Sequence, residues 1–407
     1  MISIPDIEDL GKRALRSLPG PNAAAREPLT RQSFVKLVVP VFLIYYLTAV
    51  LVLLPHSFAN KFIRLSLLPV SLWLAYSAAT GIDVTLAYDE PRLNYCNQAL
   101  IVVVTGIALR VVDWTFQKSP LTRLSPGGEE SQPKRVSTFR LFGDALDLVF
   151  NLRGIGWRWS RSAYIPPSPW PNPRSKPEFV LTSLFTSILR FVVFDCIQYS
   201  IQVSYPLLAD HRGASLFDPS LPPLARYLKA WLICIGTGFI IYHGLQAWYQ
   251  QAAIVGVLVF QHDHAQWPPL FDEPWKATSL ADFWGRRWHQ ILRRGFLTVG
   301  SKPLRKVFGR VGGVMGAFLV SALLHDWATW GMGRGGEFWS VGGFFLMNGA
   351  GVVAEELWRK ITGRQVRGWP GWVWTMAWLV GWASVLVDAW ARRGTGSSCG
   401  GNNLGQG

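Results

Sequence analysis

Two histidines and a cluster of arginines carry the chemistry this sequence offers. The stretch "SLADFWGRRWHQILRRGF", Ser279 to Phe296, sets His289 among Trp284, Trp288 and the guanidinium groups of Arg286, Arg287, Arg293 and Arg294. Further on, "FLVSALLHDW" ends an apolar run with His325, followed by Asp326. A neutral imidazole accepts a proton near neutral pH, which suits a general base. An ionisable side chain at membrane depth is costly and is a candidate for function by default. The competing reading of His325 is a helix-end histidine solvated by headgroups. Guanidinium forks pair phosphate oxygens bidentately, so the arginines read as a polyphosphate site. They read equally as the basic face of an amphipathic helix on anionic lipid.

Other ionisable groups offer less. His262 and His264 flank Asp263, but no third ligand follows at helical spacing, so no metal is expected. Cys96, Cys196, Cys234 and Cys399 lie too far apart for a paired metal or redox motif. His243 reads as a packed polar residue. Asp195 lies inside an apolar run with Arg190 five residues before it, and is expected to pair between helices or to line a polar tunnel.

The elements that must position these groups are helices. Trp284, Trp288 and Ile291 or Leu292 recur at three to four residues, which predicts a helix over Phe283–Arg294 with His289 and Arg293 as surface neighbours. Half of the 407 residues are hydrophobic and only 16% are charged. The apolar residues gather into about eight runs of bilayer-crossing length: Val38–Leu54, Phe62–Ala79, Ala99–Val112, Val180–Ile201, Tyr227–Trp248, Val311–Leu324, Phe338–Ala354 and Trp372–Ala391. Tryptophans crowd the ends of the runs, as an interfacial belt requires. Ala252–Phe260 reads as a re-entrant segment. The fold expected is an all-α polytopic transmembrane bundle of about eight spans, with a reaction chamber inside the membrane. Residues 1–36 form an extramembrane segment, 37–391 the membrane-embedded domain and 392–407 a disordered tail. The first residues lack an apolar leader, so insertion relies on the first span.

The formal charge of +15 sits in loops and not in a nucleic-acid motif. Arg286, Arg287, Arg293, Arg294, Lys302, Arg305, Lys306 and Arg310 fall between Phe283 and His325 with no acidic residue among them. With the basic segment Arg110–Lys176 and the cluster Arg359, Lys360, Arg364 and Arg367, they place the loops on the cytosolic side by the positive-inside rule.

"PLFDEPWKATSLADFWGRRWHQILRR", followed by "SALLHDW" and preceded by "NLRGIGWRW" at Asn151–Trp159, resembles the wax synthase-like branch of the membrane-bound O-acyltransferases. Within that branch the chain looks most similar to fungal enzymes that acetylate terpenoids and meroterpenoids. The resemblance implies transfer from acyl-CoA, with acetyl-CoA preferred, to a lipophilic alcohol, in the membrane of the endoplasmic reticulum. It implies catalytic roles for His325 and His289. His325 takes the hydroxyl proton, and His289 or tryptophan N–H groups face the oxyanion. Arg286, Arg287, Arg293, Arg294, Trp284 and Trp288 are expected to hold the CoA moiety. Membrane lipid is the other partner, and nucleic acid is not. The alternatives are a long-chain wax ester synthase and, outside the enzymes, a membrane transporter or a silent scaffold.

Overall fold

The computed structural model describes residues 26–88, 90, 93–124, 137–161, 163–167, 175–209, 213–333 and 335–394. Most of residues 1–36, and all but the first three of 392–407, fall outside this set. Among the described residues nine long helices carry the fold. They are α1 (Val39–Leu53), α2 (Phe58–Gly81), α3 (Asn94–Thr115), α4 (Thr138–Phe150), α5 (Lys176–Ser204), α6 (Pro223–Leu258), α7 (Lys302–Trp330), α8 (Phe338–Thr362) and α9 (Gly368–Ala391). The only sheet among the described residues is a two-residue parallel pair, Glu27–Pro28 with Ile82–Asp83.

Each expected apolar run lies in one of these helices. Among the described residues seven stretches are long and apolar enough to cross a bilayer, the first beginning at Arg31 inside the segment expected to be extramembrane. Helix α8 falls outside that set; it carries Asn348 in its apolar part and Glu355, Glu356, Arg359 and Lys360 in its last turns. Leu181, Phe185, Ile188 and Val192 of α5 are exposed, which only a lipid environment makes favourable. The chain is an integral membrane protein. The re-entrant reading of Ala252–Phe260 does not hold, since α6 runs unbroken to Leu258.

Helix starts follow from local chemistry. Ser57, Ser137 and Ser175 accept from the backbone N–H groups of Asn60, Arg140 and Glu178, capping α2, α4 and α5. Helix α4 is amphipathic. It buries Ala145, Leu148 and Val149 and exposes Phe139, Phe142, Leu146 and Phe150, the pattern of a helix lying in the membrane surface. Arg64, only 1% exposed, shows how a charge is tolerated within an apolar run. Its guanidinium donates to the carbonyls of Trp114 and Gln117 and so closes the C-terminal end of α3. The largest core packs α1 to α4 around Tyr45, Trp114 and Trp157, with Tyr45 stacked on Trp114 at 4.9 Å. Helices α5 and α6 form an antiparallel hairpin, joined by Gln250 to Thr186 (2.7 Å) and Gln251 to Ser187 (2.6 Å).

Candidate active site

The segment around His289 is not the single helix its spacing suggests. Ser279 caps a first turn, Leu280–Asp282, and Phe283–Arg287 forms one wide π turn. Trp288 then leaves helical geometry with ψ 151°, and regular structure resumes only at Arg293–Gly295. Side chains compete with the helix here. Gln290 Nε2 donates to the carbonyls of Trp284 and Trp288, and Arg287 is drawn to Asp282 and to the Asp272 carbonyl. His289 and Arg293 are therefore not neighbours on one helical face.

The next helix folds back on itself. At Phe308 (φ −113°, ψ 16°) and Gly309 (φ 63°, ψ −149°) the chain of α7 reverses, leaving two arms, 302–307 and 310–330. The Gly309 conformation is one that glycine alone adopts readily. The arms and the preceding π turn Phe296–Ser301 pack backbone to backbone. A Cβ on Gly300 or on Gly316 would overlap the other's carbonyl, and one on Gly312 would meet the carbonyl of Leu304 at 2.5 Å. The reversal falls at about the midpoint between His289 and His325, so the fold-back brings the two histidines into the same region of the fold.

Contacts on both flanks make residues 280–307 re-entrant. The descending part starts where Glu355 of α8 accepts from the N–H groups of Leu280 (2.6 Å) and Ala281 (3.0 Å). It passes Asn348, which accepts from Trp284 Nε1 at 3.0 Å. The ascending part runs beside α3. Leu292 lies on Gly106, Gly295 on Leu109, and Thr298 donates to Asp113 at 3.0 Å. Arg310 then returns to Glu356, at 3.3 Å, near the level where the segment began. His289 stands at the turning point.

Aromatic rings connect the two imidazoles. His289 lies 5.7 Å from Trp288, Trp288 6.3 Å from Trp284, Trp284 6.3 Å from Phe345, and Phe345 4.1 Å from His325. The two histidines are close enough for their charges to interact. His325 Nδ1 is 2.8 Å from the Ser321 carbonyl. A carbonyl only accepts, so Nδ1 carries the proton and Nε2 keeps its lone pair. Among the described residues Nε2 has no hydrogen-bond partner, and the side chain is half-buried. His289 has a buried Nδ1 without a partner among the described residues and packs edge-on against Phe271 at 5.7 Å.

The four arginines divide into two pairs. Arg287 bonds Asp282 and lies 3.7 Å from Asp272, while Arg294 bonds Asp113 and covers the Trp159 ring at 4.1 Å. Arg286 and Arg293 instead line an open groove of about 530 Å³ with Arg161, Tyr164 and Gly285. Arg286 sits 4.5 Å above Tyr164, whose hydroxyl donates to Asp272 at 2.6 Å. Trp284 spends its N–H on Asn348, and Trp288 stacks on Phe283 at 5.3 Å. Trp284 therefore has no N–H left for an oxyanion. His262 lies 3.7 Å from Asp147, and the described residues contain no group of three or more metal-ligating side chains. Asp326 caps α8 by accepting from the Glu337 N–H at 2.7 Å.

The loop "NLRGIGWRW" is joined to this site. Arg153 donates to the carbonyls of Pro268 and Pro269 (2.8 and 2.9 Å), just before Phe271. Trp157 is fully buried and donates to Asp147 at 2.6 Å. Tyr164, Asn348, Glu355 and the Ser321 carbonyl carried no signal in the sequence. Only the i−4 position of Ser321 relative to His325 hinted at its role.

Comparison with known proteins points to the same segment. The model of the membrane bound O-acyl transferase family matches residues 267–347, which span the re-entrant segment, the fold-back and the first turns of α8. The O-Mevalon transferase yanI of Aspergillus niger is 28% identical over 324 residues, 70% of this chain and 70% of that protein. The acetyltransferase eriL of Hericium erinaceus is 25% identical over 296 residues, 67% of this chain and 72% of that protein. The long-chain-alcohol O-fatty-acyltransferase of Simmondsia chinensis is 35% identical over 107 residues, 24% of this chain and 30% of that protein. Two histidines in the matched segment, on a membrane-spanning frame that aligns with acyl-transferring enzymes over about two thirds of its length, support reading this chain as an acyl-transferring enzyme similar to the membrane bound O-acyl transferases.

Proposed function

We propose that the enzyme transfers an acetyl group from acetyl-CoA to a hydroxyl of a lipophilic secondary metabolite, a terpenoid or meroterpenoid. The observation that carries this reading is the His325 imidazole, held by the Ser321 carbonyl with Nε2 free as a base. In the reaction the acceptor oxygen attacks the thioester carbonyl while its proton passes to His325 Nε2. The C–S bond breaks, the CoA thiolate leaves, and the proton on Nε2 is returned to it. His289 opposite would stabilise the charge that develops on the carbonyl oxygen.

The family implies acyl-CoA as co-substrate. Its phosphates suit the groove of Arg161, Arg286 and Arg293, where two guanidinium groups of the re-entrant segment stand without acidic partners among the described residues. Arg287 and Arg294 act from behind, fixing the segment through Asp282, Asp272 and Asp113. In this reading the groove opens to the cytosol and the protein sits in the endoplasmic reticulum. The match to a long-chain-alcohol O-fatty-acyltransferase supports a second reading, with a fatty acyl donor and a fatty alcohol.

Microsomes carrying the wild type or His325→Ala decide between them. They are offered labelled acetyl-CoA or palmitoyl-CoA, with hydroxylated terpenoids or fatty alcohols. Acetyl ester that disappears in the variant is the expected result. Long-chain ester in its place moves the substrates and keeps the mechanism. Undiminished ester formation by well-expressed His325→Ala removes His325 from the chemistry.

A further inference from the structure

The centre of the α5–α6 hairpin carries a charge that the proposed reaction does not use. Arg190 lies at the middle of α5, as far from either membrane face as that helix allows. Its guanidinium covers the Tyr242 ring at 5.4 Å, and no carboxylate stands within ion-pair distance of it among the described residues. Asp195, on the same helix, is exposed and makes no ion pair with another helix among the described residues, so the expected pairing between helices is not seen. Tyr242 is half-buried. It packs on Phe271 at 4.9 Å and Trp275 at 5.3 Å, and Phe271 packs on His289. Beside it, the Nδ1 of His243 is buried without a hydrogen-bond partner among the described residues. A mid-span cation and an unsatisfied imidazole nitrogen thus stand together on the inner side of the hairpin, two rings away from His289. Intramembrane charges of this kind persist when a ligand or partner completes them.

We propose that Arg190, with Tyr242 and His243, receives a carboxylate on the acceptor, so that the enzyme selects hydroxylated lipophilic acids. This deepens the proposed function and rests on it for the identity of the acceptor. The planar guanidinium fork matches a carboxylate in two hydrogen bonds, and the apolar environment strengthens them. The aromatic wall of Tyr242, Phe271 and Trp275 leaves the lipophilic body of such a molecule to run toward His289 and His325.

The test uses the full chain in lipid nanodiscs and two probes, an ω-hydroxy hexadecanoic acid and its methyl ester. Binding is read from tryptophan fluorescence without any acyl donor, and ester formation is read separately with acetyl-CoA. Wild type is expected to bind the acid roughly tenfold to a hundredfold more tightly than the ester, the range for a hydrogen bond to a charged group. Arg190→Gln should erase the preference. Arg190→Lys, which keeps the charge without the fork, should retain part of it. Equal affinities in wild type, or an undiminished preference in Arg190→Gln, overturn the proposal. Preferred binding of the acid without transfer to any alcohol would count against the acyl-transfer reading and leave the site standing. Transfer without acid preference would do the reverse.

Discussion

Glu355 offers the sharpest test of how the site is positioned, because it holds the start of the re-entrant segment and touches neither histidine. Its carboxylate is buried in α8. Oε1 accepts from the Leu280 N–H at 2.6 Å and from Trp374 Nε1 at 3.0 Å, and Oε2 accepts from the Ala281 N–H at 3.0 Å. Glu355→Gln keeps one accepting oxygen, which can serve Leu280 and Trp374, and turns an amide donor toward the Ala281 N–H. One lost bond and one donor–donor contact cost about 1–3 kcal/mol. Glu355→Ala orphans all three donors and leaves a cavity beside Gly351 and Leu280, which raises the cost to about 3–5 kcal/mol. The segment carrying His289 would then shift at its root, and a displacement near 1 Å can reduce turnover about a hundredfold. The assay pairs thermal unfolding in detergent with single-turnover ester formation at saturating acyl-CoA. Gln should fall between wild type and Ala on both axes. A stable, fully active Glu355→Ala enzyme would refute the idea that α8 positions the segment.

The two pairs of arginines make opposite predictions. Arg286→Ala or Arg293→Ala should raise the KM for acyl-CoA with little loss of thermal stability, whereas Arg287→Ala should lower stability by freeing Asp282; kinetics and melting curves on the three variants check this. Gly316→Val should abolish activity, since its side chain would force Gly300 and the ascending part of the segment away; correct membrane insertion with full activity would argue against the fold-back. Glu337 accepts from Ser340, Arg392 and Arg393, and although its burial opposes ionisation these partners hold its carboxyl down to about 2, from a usual 4.5. A depressed carboxyl contributes stability above its unfolded value that is lost as pH falls toward about 2. Acid unfolding followed by fluorescence should therefore weaken the wild type between about pH 4.5 and 2, and Glu337→Gln should remove that part of the pH dependence.

The spans were legible because bilayer length and hydropathy leave few other solutions. His325 was legible for the same reason, as an ionisable side chain where apolar residues dominate. The geometry around His289 was not. Periodicity read Phe283–Arg294 as a helix, but Gln290 and Arg287 spend their donors on nearby carbonyls and carboxylates, and those partners become visible only in three dimensions. The division of the arginines was hidden similarly. No acid lies between Phe283 and His325, yet Asp272, Asp282 and Asp113 come in from outside that range to neutralise two of the four. The fold-back was hidden within "VFGRVGGVMG", where a glycine at positive φ reads like the helix-packing glycines that follow it.

The reversal at Phe308–Gly309 also bears on how the protein folds. Residues 304 and 312 are close along the chain, so bringing them together closes a short loop at small entropic cost. Gly300 and Gly316 come next, and each further pair extends a register already set. The arms can zip from the tip inward, as a local process of low contact order. His289 and His325 lie farthest from the tip and meet last. On this pathway the constellation assembles only on chains whose hairpin has closed in register. A single residue inserted in either arm would rotate one histidine by about 100° relative to the other and leave a hairpin that folds but does not turn over.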